Sequence, residues 1–122
     1  MTHESNAPDP ITVYAEAPSI VSEICWLLDQ NVNRPFGTEQ GRDFWLRKAA
    51  VLDRIAIEEV ATYAPPVAAN AIETAEEAAR RLVEYDVTHT GLSLKGSDVI
   101  TGDDCRAYVR REYDEWSRTQ LL

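Results

Sequence analysis

Apolar residues recur at helical spacing along most of this chain, and residues 43–62 are apolar on two sides. At about 100° of rotation per residue, one broad apolar arc of this stretch contains Trp45, Leu46, Ala49, Ala50, Leu52, Ala56, Ile57 and Val60. A narrower stripe on nearly the opposite side consists of Phe44, Val51 and Ile55. A helix that is apolar on two sides is covered on two sides, so we expect this one to be central or to lie at an interface.

A helix is also predicted from Ser19, a favourable N-cap residue, to about Val32. Most of its apolar side chains share one face of the helical wheel, and these are Ile20, Val21, Ile24, Cys25, Leu27, Leu28 and Val32. Trp26 falls on the other face, among polar residues. Tryptophan is enriched at binding hot spots. Trp26 therefore either contacts a partner or is covered by the N-terminal arm or a loop.

Two further helices are predicted after the central one. The pair Pro65–Pro66 ends the central helix and opens the next, because proline is tolerated in a first helical turn. Residues 67–88 then show an alanine-rich apolar arc with nearly all the charge opposite, and Gly91 is the predicted C-cap. The segment Thr101–Asp104 resembles a capping box and predicts a last helix to about Thr119.

The N-terminal residues 1–18 are predicted to form an extended or mobile arm. Within them, Ile11–Ala17 shows rough alternation between two prolines but has no partner strand. Residues 19–120 then form a single helical domain. Connections of about 4–15 residues fit an antiparallel bundle, so the predicted fold is all-α, a small antiparallel bundle of about four helices.

Charge and length narrow the classes of function. The 122 residues suffice for one ordinary core, and the formal net charge is −9. Direct binding to nucleic acid is not expected of such an acidic chain. Its acidic surface could instead imitate nucleic acid and dock on a basic protein. No apolar run reaches the roughly 18–20 residues that span a bilayer, and we expect that the N-terminal residues, which lack a basic region and an apolar core, are not a secretory signal. We expect a cytoplasmic protein, and the Ala, Arg and Glu content is typical of GC-rich bacteria.

The chain offers little metal or nucleophile chemistry. Cys25 and Cys105 stand far apart without a cysteine or histidine at metal spacing, and both are predicted to be small buried apolar residues. The two histidines, His3 and His89, are too few for a multi-histidine zinc site. Glycine motifs that cradle phosphates are also missing from the sequence. No cofactor is therefore expected.

Carboxylates give the one chemical signal. Asp53 lies inside the broad apolar arc of the central helix, and Glu112 inside that of the last helix. An ExxE spacing occurs at residues 73–76 and 112–115 and is similar to that of all-α nucleotide pyrophosphohydrolases of the MazG type. That resemblance implies a magnesium-dependent phosphohydrolase. Because the first ExxE pair falls on a polar face, the ligands in this alternative are Asp53, Glu59 and Glu112.

The structural alternative is that Asp53 and Glu112 are paired inside the bundle, since a carboxylate in apolar surroundings needs a partner. The candidate partners are a tyrosine hydroxyl and three arginines, Arg80, Arg81 and Arg110. Satisfied in this way, the carboxylates would fix the register of the helices and have no chemical role.

The function that the sequence favours is a non-enzymatic interaction or regulatory domain that dimerises or docks on a partner protein. This prediction depends on the second apolar stripe of the central helix and on Trp26, which together exceed the apolar surface that a small bundle readily hides. The predicted contact residues are Trp26, Phe44, Val51 and Ile55.

Overall fold

Five α-helices pack together in the computed structural model, which describes residues 9–90 and 101–120. They are α1 (Pro10–Val13), α2 (Ile20–Asn33), α3 (Arg42–Thr62), α4 (Pro65–Thr90) and α5 (Gly102–Gln120). All regular secondary structure in these ranges is helical, which confirms the all-α class. The first eight residues of the predicted arm and the predicted Gly91 cap lie outside the described residues. None of the helices in the described ranges combines the length and the apolar character of a membrane-spanning segment.

Helix α1 occupies part of the segment that the sequence predicts to be extended. Pro10 is the first helical residue, a position where its fixed φ angle suits the helix and its missing N–H costs nothing. The Val13 N–H then donates to the Asp9 carbonyl at 2.9 Å, and the Tyr14 N–H to the Pro10 carbonyl at 3.0 Å. The extended prediction for Ile11–Ala17 is therefore wrong over its first turn. The helical turn directs Val13 into the core, where it is buried.

The predicted helix starts after Ser19 and Thr101 are confirmed by their caps. The Ser19 Oγ accepts a hydrogen bond from the Ser22 N–H at 3.1 Å. At the start of α5, the Thr101 Oγ1 accepts from the Asp104 N–H at 3.1 Å, and the Asp104 carboxylate accepts from the Thr101 N–H at 3.0 Å. This reciprocal pair is a capping box with aspartate in the glutamate position.

Helix α3 contacts α2, α4 and α5, so its predicted central position is confirmed. The main core takes Leu46, Ala49 and Ala50 from its broad arc, together with residues from α1, α4 and α5. The buried members of this core are Val13, Leu46, Ala49, Ala50, Ala78, Ala79, Leu82, Cys105, Tyr108, Val109 and Tyr113. Val60, at the end of the broad arc, is exposed. The alanines of α4 allow α3 to approach closely, as small side chains do. On its narrow side, Phe44 and Val51 form a smaller cluster with Leu27 of α2.

Candidate interaction surface

Helix α2 is held on α3 by a side that contains a buried charge. Glu23 is 2% exposed and accepts two hydrogen bonds from Arg47 of α3, from Nε at 3.0 Å and from Nη2 at 2.6 Å. The same guanidinium lies 3.6 Å from the centroid of the Trp26 ring, a cation–π contact. Leu27 packs against α3 beside them. The docked side of α2 therefore combines an ion pair, an aromatic ring and two aliphatic side chains, Leu27 and the partly buried Ile20.

The opposite side of α2 is apolar and faces solvent. We call it the outer face, and it consists of Val21, Ile24, Cys25, Leu28 and Val32. Val21 is 70% exposed, Leu28 60% and Val32 80%. The only charged residues of α2 are Glu23, on the docked side, and Asp29, at the edge of the outer face. The outer face itself carries no charge.

This orientation differs from the one that the apolar pattern of α2 indicates. An amphipathic helix ordinarily turns its apolar side to the core, and the prediction that Cys25 is buried is wrong, whereas Cys105 is buried as predicted. The physical reason is the bidentate pair between Glu23 and Arg47, which fixes the docked side and leaves the larger apolar side outward. Among the described helices, α2 contacts α3 alone, so nothing else there covers the outer face.

Of the four residues predicted to contact a partner, Trp26 lies on the docked side of α2, and Phe44 and Val51 lie beneath that side. Phe44 and Val51 are buried against Leu27, so they are inaccessible while α2 is docked. Ile55 is partly buried, and the Trp26 ring is in contact with the Arg47 guanidinium. Phe44 and Val51 of the narrow stripe are thus covered by α2, whereas the outer face of α2 is itself an exposed apolar surface.

Asp53 is held by two arginines and a tyrosine. Its side chain is 1% exposed, and its carboxylate accepts from Arg106 Nε at 2.7 Å. Arg110 donates two hydrogen bonds to it, from Nε at 2.8 Å and from Nη2 at 2.9 Å. The Tyr14 hydroxyl donates a further one at 2.7 Å, which anchors the segment after α1. Arg110 and a tyrosine hydroxyl are among the partners that the sequence suggested.

A second cluster joins α3, α4 and α5. Arg42 donates to both carboxylate oxygens of Asp86, at 2.7 and 2.8 Å, and to Glu112 at 2.8 Å. The Tyr108 hydroxyl donates to Asp86 at 2.5 Å. Glu112 is therefore paired with an arginine that the sequence did not single out. Asp86 was not among the predicted buried carboxylates, although it stands four residues after the buried Leu82 and so falls on the apolar side of α4.

The magnesium alternative finds no support in this arrangement. Asp53 and Glu112 direct their oxygens at arginines, and Glu59 is partly buried towards the end of α3. Glu76, from the first ExxE pair, packs over Gly102 so closely that a Cβ atom at Gly102 would overlap it. Among the residues that the structure describes, no three His, Cys, Asp or Glu side chains come together as a metal site.

Both buried aspartates are held in the charged form. Burial raises the pKa of Asp53, but hydrogen bonds and charge from Arg110 outweigh it and leave that pKa below its ordinary value. The pKa of Asp86 is likewise lowered, because Arg42 and the Tyr108 hydroxyl outweigh the effect of burial. Burial and the neighbouring carboxylates raise the pKa values of the Tyr14 and Tyr108 hydroxyls, which remain donors. These clusters therefore have the chemistry of structural supports.

Acid is expected to destabilise the fold through the same two aspartates. Their folded-state pKa values lie below the unfolded value of about 3.9, so their stabilisation is complete above that pH and is lost as the pH falls through the folded-state values. Urea unfolding measured between neutral and strongly acidic pH checks this. Asp53→Asn should flatten the fall in unfolding free energy below about pH 4. An unchanged slope in that variant would contradict the assignment.

No protein-family model matches the chain, and no curated protein or solved structure is found to be similar to it. A function for this chain therefore has to be inferred from its structure. The fold gives no reason for the exposed apolar side chains on the outer face of α2.

Proposed function

We propose that this chain is a non-enzymatic interaction domain whose contact surface is the outer face of α2. The observation that carries the proposal is an uncharged apolar strip along a whole helix of a chain whose net charge is −9. Exposed apolar surface costs about 25 cal/mol per Å², and contiguous apolar patches on soluble domains mark sites of association. The buried clusters around Asp53 and Asp86 tie α4 and α5 to α3, the helix on which α2 docks.

The internal construction of α2 supports the same conclusion. A helix that turns its charged residue inward and its apolar side outward conflicts with its own sequence pattern, and such conflicts concentrate at functional surfaces. The exposed positions also have the spacing of a docking helix. A protein that binds a helix in a groove contacts its side chains at positions i, i+3 or i+4, and i+7. Val21, Ile24 or Cys25, and Leu28 occupy those positions.

We also propose how the helices are arranged. We regard α2 to α5 as the antiparallel bundle that the sequence predicts, supported by the hairpin in which only Tyr63 and Ala64 separate α3 from α4. Helix α1 is then an accessory segment held through Tyr14. The free thiols of Cys25 and Cys105 support a cytoplasmic location, where thiols stay reduced.

The matched variants Val21→Glu and Val67→Glu test the contact surface. Both valines are more than half exposed and lie in the first turn of a helix, where a glutamate is well tolerated. Val21→Glu should weaken association by at least about tenfold, because an unpaired carboxylate buried in a contact costs more than the corresponding 1.4 kcal/mol. Val67→Glu should leave association unchanged.

Native mass spectrometry of the purified chain, with and without each substitution, provides the measurement. We expect a species heavier than the single chain, which disappears with Val21→Glu and persists with Val67→Glu. Circular dichroism should show the same helix content in both variants. Equal behaviour of the two variants would refute the proposed surface. So would loss of helix in Val21→Glu, because a free surface position tolerates the change.

A further inference from the structure

Four residues of the outer face follow the spacing of a coiled-coil seam. Val21, Cys25, Leu28 and Val32 are separated by four, three and four positions, and all four are exposed. That alternation is the pattern with which two helices pack along a common line, side chain into the facing hole. Ile24 flanks the seam on one side. The outer face is therefore shaped for another helix with the same pattern.

The charge distribution favours a second acidic chain over a basic partner. Two copies of the chain, each with a net charge of −9, repel each other, and this repulsion is weakest where the facing surfaces carry no charge. Within α2, Glu23 is neutralised by Arg47 on the docked side, and Asp29 at the edge accepts a hydrogen bond from Asn33 at 2.8 Å. A basic protein would find no acidic side chain along the seam itself.

We propose that the occupant of the outer face is a second copy of this chain, with the two α2 helices packed antiparallel about a two-fold axis that passes between Cys25 and Leu28. This inference rests on the proposed function and names its partner. In such a pair each seam residue meets another: Val21 faces Val32 of the second copy, and Cys25 faces Leu28 of the second copy. The contact is isologous, as closed dimers require.

The edge residues favour the antiparallel direction. In that direction Asp29 lies beside Ser22 of the second copy, whose hydroxyl can donate to a carboxylate. In its own chain the Ser22 oxygen accepts from the Ser19 hydroxyl at 3.0 Å, which leaves the Ser22 O–H able to turn outward. A parallel pair would place Asp29 beside Ile24 instead, a charge against an apolar side chain. Antiparallel helices also bring opposite ends of their dipoles together.

The length of α2 sets the strength of the dimer. Its 14 residues span about 21 Å at 1.5 Å per residue. One helix pair of that length buries less than the roughly 800 Å² per partner of a standard stable interface. We therefore expect a reversible dimer with a Kd in the micromolar range, which dissociates on dilution.

Sedimentation equilibrium and paired cysteine variants test the partner and its direction. The full chain should double its mass as its concentration rises to hundreds of micromolar, and Val21→Glu should stay monomeric. In a Cys25→Ser background, where Cys105 is buried, Val21→Cys and Val32→Cys each place one exposed thiol on the seam. Mild oxidation should crosslink a mixture of these two variants and should leave each variant alone uncrosslinked, because a disulfide needs Cα atoms within about 7 Å.

The outcomes separate this inference from the proposed function. A chain that stays monomeric at hundreds of micromolar, with no crosslink in the mixture, overturns the second copy as partner. The proposed function then still stands if native mass spectrometry shows a species of another mass that Val21→Glu removes. Crosslinking of Val21→Cys with itself, and of Val32→Cys with itself, overturns the antiparallel arrangement.

Discussion

Replacing Asp53 by alanine should lower the free energy of unfolding by about 3–5 kcal/mol, the range measured when a buried ion pair loses one partner. The substitution leaves the guanidinium groups of Arg106 and Arg110, whose side chains are only 11% and 19% exposed, without the carboxylate that pairs them. The Tyr14 hydroxyl loses its acceptor as well. Urea unfolding at neutral pH measures the change.

Glu58 provides the matched control for this substitution. It stands on the same helix but is exposed, so Glu58→Ala should change the unfolding free energy by no more than about 0.5 kcal/mol. Hydrogen exchange should also show that Asp53→Ala loosens the segment around Tyr14, because that hydroxyl anchors it to α3. A loss below about 1 kcal/mol would show that the cluster is hydrated rather than buried.

Replacing Arg47 by alanine should release α2 from α3. In the docked state Glu23, whose side chain is 3% exposed, would be buried without its partner, which disfavours docking by about 3–5 kcal/mol, and Trp26 would lose a cation–π contact of about 0.5–2 kcal/mol. Because α2 contacts only α3 among the described helices, the loss is expected to be local. Hydrogen exchange should rise throughout α2 while α3 to α5 stay protected.

Two controls isolate the contribution of the buried pair. Arg81→Ala removes an arginine that is paired with Glu77 on the exposed side of α4, and it should cost no more than about 0.5 kcal/mol. Glu23→Gln combined with Arg47→Met removes both charges at similar volume, and should restore much of the stability that Arg47→Ala loses. If Arg47→Ala and Arg81→Ala have equal effects, the ion pair is not what docks α2.

Local signals in the sequence were sufficient to predict α2 to α5 and one buried cluster. Ser19, Thr101 and Pro65 define helix starts through capping and proline geometry, which depend on neighbours within a few residues. The two-sided pattern of α3 predicts its central position. Asp53 on an apolar arc predicts a buried partner, because an unpaired carboxylate there would be too costly.

Such local signals could not predict which side of α2 packs on α3. This orientation depends on a pair between Glu23 and Arg47, which are 24 residues apart, and a helical wheel contains only one of the two. The pattern showed correctly that the stripe with Phe44 and Val51 needs a cover, but not that α2 would supply it with its less apolar side. The first turn of α1 was missed because a proline before a short apolar run fits both an extended segment and a helix start.

The structure therefore gives α2 two roles. Its docked side completes the fold by covering the narrow stripe of α3, and its outer face supplies the apolar surface from which we infer association. Substitutions on the docked side should change stability, whereas substitutions on the outer face should change association alone. This separation makes the contact surface testable without knowledge of the partner.

Photo-crosslinking in living cells tests whether the outer face of α2 is a contact surface. A photoreactive amino acid is placed at Leu28 in the middle of the outer face, or at Val67, which is similarly exposed on α4. We expect a discrete adduct from position 28, composed of two copies of the chain if the dimer forms, and none from position 67. Absence of an adduct from position 28, or the same adducts from both positions, would contradict the claim that the outer face of α2 is a contact surface.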